Sequence, residues 1–139
     1  MSPTPSRGRV VMLLTNPATY DQRPLKEAHA LSAAGYSVTI LAWDREEAMP
    51  RDSLFDDGLL IKRMRVRAGR GTPFLTVPRL FLFYAWCVVR LLAMHVDVIH
   101  CHDVDTLPAG FAAKALKAAR PRLSTTCTTC LKHSSGSSR

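Results

Sequence analysis

The feature that most constrains this chain is a succession: short apolar runs alternate with segments of helical period. Arg9 to Leu14, RVVMLL, is a partly β-branched run stopped by Thr15, Asn16 and Pro17, as a buried strand would be. From Pro24, PLKEAHALSAAG sets Leu25, Ala28, Leu31 and Ser32 at helical spacing, with Pro24 suited to a first turn and Gly35 to a C-cap. Tyr36 to Trp43, YSVTILAW, reads as a second strand. Leu59 to Val66 alternates apolar residues with Lys62, Arg63 and Arg65, which suits a strand nearer a sheet edge. Pro78 can open a helix running to about His95, Asp97 starts another strand, and Thr106 to Ala119 is an alanine-rich helix with Leu107, Phe111, Ala115 and Leu116 near one stripe. Strands alternating with helices build βαβ units, and these build a parallel sheet. The expected fold is therefore α/β, a Rossmann-like parallel sheet with flanking helices, in one domain over residues 9–122. Residues 1–8, polar and rich in Ser and Pro, are expected to be disordered.

Charge narrows the partners. Among 139 residues, 19 Lys and Arg stand against 11 Asp and Glu, a formal net charge of +8. Such an excess favours phosphates, nucleotides or acidic lipid surfaces. With neither an aromatic RNP-like strand nor a finger spacing, nucleic acid is not an expected partner. No apolar signal core follows the first residues, so a cytoplasmic location is expected, and Cys87, Cys101, Cys127 and Cys130 are expected to be thiols. Between Arg79 and Arg90 lie ten uncharged residues, about half of the ~20 that a spanning helix needs. The segment reads as a helix packed on the sheet, not as a transmembrane segment. Phe81, Phe83, Tyr84 and Trp86 between arginines also offer a second reading, peripheral contact at the inner face of a membrane through residues 78–95.

The chemistry-bearing residues cluster where the apolar run Val96 to Ile99 breaks into His100, Cys101, His102, Asp103 and Asp105. Open parallel sheets bind ligands outside the carboxyl ends of their strands. This segment and Thr15 to Arg23 both lie at such ends and should face one crevice. Alternation places His100 and His102 on one side and Cys101 on the other, as a small buried filler. Asp103, Asp105 or Thr106 could each cap the following helix. His102 and Asp103, last out of the strand, are the candidate catalytic residues. A metal site from His100, His102 and Asp105 is conceivable by residue type, but no further ligand is placed to complete it, so no metal is expected.

Two segments, TNPATYDQRPLKEAHALSAAGYSVTILAW and DVIHCHDVDTLPAGFAAKALKAA, closely resemble the N-terminal domain of GT-B glycosyltransferases of the family 4-like group, over residues 9 to about 122. The first motif is met by Asp21, Arg23, Lys26, Glu27, Ala28, Leu31 and Gly35; the second is Asp-Val-Ile-His-x-His-Asp followed by Leu-Pro-Ala-Gly. The resemblance implies the N-terminal, acceptor-binding half of a GT-B architecture, incomplete here, from a nucleotide-sugar-dependent enzyme that retains stereochemistry. By it, His102 and Asp103 sit near the reacting sugar, and Asn16, Asp21, Arg23, Asp105 and Thr106 line the cleft. It implies a sugar acceptor, glycan or lipid-linked, and a nucleotide-sugar donor held by a second Rossmann-like domain. It implies no essential metal and no cofactor in this chain.

The tail stands apart. The alternation calls for a fifth strand near residue 122, and the Ser, Thr and Cys tract from Ser124 offers none. Cys127-x-x-Cys130 with His133 invites a zinc or thiol-redox reading, but supplies no fourth ligand. Read one nucleotide earlier, the codons of STTCTTC permit Val-Tyr-Asp-Leu-His-Asp-Leu, an apolar strand entering a polar loop of the kind the family carries at this point. A one-base slip near residues 119 to 123 is therefore expected, leaving residues 123–139 as a non-native or disordered tail on an inactive fragment. The competing expectation is a stand-alone α/β module that binds an anionic ligand.

Overall fold

A computed structural model describes residues 7–19, 22–68, 73–119 and 126–127. The elements run β1 (Arg9–Leu14), α1 (Gln22–Ala33), β2 (Ser37–Asp44), β3 (Asp52–Leu54), β4 (Leu60–Arg65), α2 (Pro73–Ala93), β5 (Val98–Cys101), a 3-10 turn (Val104–Thr106), α3 (Leu107–Ala118) and β6 (Thr126–Cys127). The sheet order is β3-β4-β2-β1-β5-β6, parallel throughout except for β3 against β4. The chain is thus the Rossmann-like α/β fold its alternation calls for. β1 lies at the centre, with Leu13 beside Leu41 on one flank and Cys101 on the other.

Period-two alternation divides the core. Val10, Met12 and Leu14 face α1, packing with Ile40, Ile61 and Ala28; Val11 and Leu13 face α2 and α3, packing with Trp43, Phe83, Leu91 and Ala113. Trp43 is buried and stacked on Phe83, ring centroids 5.6 Å apart, and its indole N–H donates to the Val66 carbonyl. Gly35 ends α1 with φ +91°, a left-handed conformation that a side chain would strain.

Three elements depart from the sequence reading. α2 begins at Pro73 and carries Pro78 inside it. Pro78 removes one bond to the carbonyl of Phe74, and that carbonyl lies on an exposed face where water can replace the lost donor. The longer helix also overturns the argument from length: Phe74–Ala93 is long and apolar enough, by length and composition, to cross a membrane. In this fold it is the crossover between β4 and β5, with Phe83, Cys87 and Leu91 buried on the sheet. β3 was not expected; a hairpin turn folds it onto β4, with the Phe55 N–H on the Leu59 carbonyl and Gly58 at φ +84°. Finally, Thr126–Cys127 pairs in parallel with Val98 and Ile99, at the place where the alternation calls for a strand and the composition withholds one.

Candidate functional site

β1 and β5 are adjacent and parallel, so the loops leaving them emerge side by side. The hydroxyl of Thr15 donates to Asp103 Oδ2 at 3.3 Å, tying the two loops together as expected for one crevice. Asn16 Oδ1 accepts the backbone N–H of Ala18, an Asx turn that holds Ala18 at φ +58°. Arg63 reinforces the same loop: buried on β4, it donates to the carbonyls of Pro17 and Pro50 and to the Ser53 hydroxyl. Burial pushes its pKa below the usual arginine value, and Asp44 at the end of β2 offsets this in part. Asp44, itself buried, accepts the N–H groups of Glu46 and Met49.

The two imidazoles point to the α1 side, rings 5.3 Å apart and tilted by 31°. Glu27, on α1, comes between them: its Oε2 lies 3.3 Å from His102 Nε2 and 4.0 Å from His100 Nε2. His102 Nε2 is buried yet out of line for a hydrogen bond with that carboxylate. Burial chiefly, and His102 second, push the pKa of His100 down, while Glu27 acts in the opposite sense. Burial thus favours the neutral form of His100.

Glu27, His100 and His102 also offer three ligand atoms within 4.8 Å of one another, so they are the described residues that could hold a metal ion. The third member is Glu27, where the sequence suggested Asp105. The 3.3 Å spacing equals the edge of a tetrahedron with ligand distances of ~2.0 Å. The 4.0 Å spacing exceeds it, and a closed structural site would need a fourth ligand.

Cys101 takes the other side. It packs with the α2 and α3 core, and a Cβ on Gly110 would lie 2.5 Å from its sulfur. Thr106 is fully buried, its hydroxyl donated to the Asp103 carbonyl at 2.7 Å, so it shapes the loop from inside. Neither Asp103 nor Thr106 caps a helix through its side chain. Asp105 and Arg23 are exposed at the rim, Arg23 on the first turn of α1. Asp21 lies outside the described residues, as do Cys130 and His133.

The structure thus brings Thr15, Asp103, His102 and His100 together with Glu27, which the sequence offered only as a motif residue. Glu27 precedes His100 by 73 positions. Only the β1–β5 pairing carries the first turns of α1 over the end of β5. A sequence model of the glycosyl transferase 4-like domain matches residues 7–139. No curated protein sequence matches the chain.

Proposed function

The chain belongs to the glycosyl transferase 4-like family, and from that premise we propose that it forms the acceptor-side wall of a nucleotide-sugar-dependent, retaining glycosyltransferase working on the cytoplasmic side of a membrane. The observation that supports this reading best is the joined pair of strand ends, with Thr15 aiming the Asp103 carboxylate beside His102. In such a transfer the bond from the anomeric carbon to the donor's diphosphate oxygen breaks, a bond to an acceptor hydroxyl oxygen forms on the same face, and the proton of that hydroxyl passes to the departing diphosphate oxygen. The leaving diphosphate needs cationic groups and helix N-termini, which a second Rossmann-like domain would supply. The wall described here has the complementary task of orienting hydroxyl groups.

His102 and Asp103 suit that task. An imidazole nitrogen can donate to or accept from a sugar hydroxyl, and a carboxylate accepts from one. Glu27 now stands over His102 Nε2, but its side chain is 44% exposed and can swing aside as a hydroxyl arrives. Asp21, Arg23 and Asp105 would meet the outer part of the acceptor, where Arg23 suits a phosphorylated or lipid-linked group. Asn16 would hold the first loop in shape. The proposal needs neither metal nor cofactor in this chain.

The one-base slip is part of this reading. Its support is the codon pattern of the tail; against it stand the family match, which runs in the given frame to residue 139, and the pairing of Thr126–Cys127 with β5. DNA decides the matter. Resequencing from the codon for Gly110 past the stop should reveal a shift that opens a long frame starting near Val-Tyr-Asp-x-His and later carrying a paired-Glu motif. The frame-corrected enzyme should transfer sugar, and His102→Ala or Asp103→Asn should lower kcat about 10²-fold or more while the protein stays folded. If every frame closes quickly, the fragment reading fails. Unchanged kcat in both variants would remove these residues from the reaction.

A further inference from the structure

The inner face of α2 is accounted for by the core; its outer face is not. Phe74, Pro78, Phe81, Leu82, Ala85 and Val89 recur at helical spacing and form one exposed stripe, with Phe74 93% and Phe81 65% exposed. α2 contains no Asp or Glu, and its two charges, Arg79 and Arg90, are both positive. Along the flank of the stripe, Arg90 lies over the Trp86 ring, 5.5 Å from its centroid. Beyond Trp86 and Arg90 opens a cavity of about 380 Å³ whose wall includes Arg51, Lys62 and Arg65, with Asp52 as its one carboxylate. Lys62 and Asp52 are 3.7 Å apart, which leaves Arg51, Arg63, Arg65 and Arg90 as the excess positive charge, with Arg63 buried and held by the Pro17 and Pro50 carbonyls.

We propose that the outer stripe of α2 and this basic cavity form one membrane-docking surface, in which α2 lies in the bilayer interface and the cavity receives the phosphate of an anionic lipid headgroup. A helix with one apolar face and flanking cations, held flat by its packing on a sheet, is the arrangement that binds an interface without crossing it. Trp86, with an apolar body and a polar edge beside a cation, suits the headgroup level. Charge complementarity favours lipid over a second copy of this chain. Two copies joined through the stripe would bring two basic flanks together, on chains that each carry +8. The docking reading is independent of the sugar-transfer reading: it uses no residue of the loops at the β1 and β5 ends.

Co-sedimentation of the full chain with vesicles tests it. Vesicles of phosphatidylcholine with about one-third phosphatidylglycerol should bind the chain, and pure phosphatidylcholine should bind it at least tenfold more weakly. Phe74→Ser with Phe81→Ser, both exposed and so without effect on folding by circular dichroism, should lower binding more than tenfold. Arg51→Ala and Arg90→Ala should each lower it about fivefold. Inorganic phosphate at the same ionic strength should not release the chain, since the stripe contributes independently. The proposal is overturned if the vesicles do not bind the chain, if the Phe variants bind as well as the parent, or if phosphate alone displaces it. It is also overturned if the lipid-free chain sediments as a dimer that Phe81→Glu dissociates, because the stripe is then an interface between copies.

Discussion

His100, Cys101 and His102 are consecutive, yet they live on opposite sides of one sheet, and the sides differ in kind. On the α1 side a single helix covers the strand ends, and the half-exposed Glu27 reaches both imidazoles. On the other side α2 and α3 close over the sheet, Trp43 stacks on Phe83, and the Cys101 sulfur presses on the backbone of Gly110. Past the apolar packing of Val10, Met12, Leu14, Ile40 and Ile61, the residues at the strand ends of the first side are chosen for what they can exchange protons or hydrogen bonds with. Residues on the second are chosen for size. A single strand can serve both because alternation assigns its side chains independently to the two faces.

The comparison breaks first at its dry side. Trp43→Ala would remove the largest fully buried side chain and orphan the Val66 carbonyl. The expected loss is about 3–5 kcal/mol of unfolding free energy, read from the urea midpoint at constant m-value. Leu25→Ala, half-buried on the inner face of α1, should cost distinctly less. Equal losses would mean that the two faces are packed alike.

Gly110→Ala sharpens the contrast at the residues themselves. The added methyl would meet Cys101 Sγ at 2.5 Å, and a cysteine sulfur one bond from its Cβ has little room to retreat. A loss of about 1–3 kcal/mol is expected. In a Cys101→Ala background the clash is gone, and the same substitution should become neutral or stabilising, since alanine is the better helix former by ~1 kcal/mol. A double-mutant cycle measures this coupling. Simple additivity would show that the helix does not sit as tightly on β5 as the coordinates place it.

Much of the dry side was legible in the sequence, and less of the wet side. Apolar runs and Gly35 locate β1, β2, β4, β5 and both helices α1 and α3 because burial and a left-handed C-cap leave local signatures. The side to which His100, Cys101 and His102 each point follows from period two. The start of α2 was missed because a proline is a poor terminator where its lost hydrogen bond faces water. β3 is only three residues long, although Asp57-Gly58 before β4 is a turn signal that could have announced it. Glu27 is different. Nothing within a window of helical length says that its carboxylate will meet His100 on β5 and His102 just beyond it, because that meeting depends on which strands pair. The exposed stripe of α2 was half visible: its apolar residues were plain, but the side left uncovered is a tertiary fact.

The smallest expected effect belongs to the wet side, and its sign follows from burial. In the unfolded chain His100 titrates near ~6.5; in the fold, burial chiefly and His102 second hold its pKa below that value. Between the two values the unfolded chain binds more protons, so stability rises with pH there. The contribution from keeping His100 neutral is thus present above the unfolded pKa and is lost as pH falls through the depressed folded one. His100→Gln should flatten this part of the acid limb of urea midpoint against pH. Glu27→Gln should do the reverse. It removes the one influence that raises the pKa of His100, so the limb should steepen and reach lower pH. If both substitutions flattened the limb equally, the carboxylate would be acting as a partner of charged histidine, and the α1 side would be an ion-pair site instead of a neutral one open to hydroxyl groups.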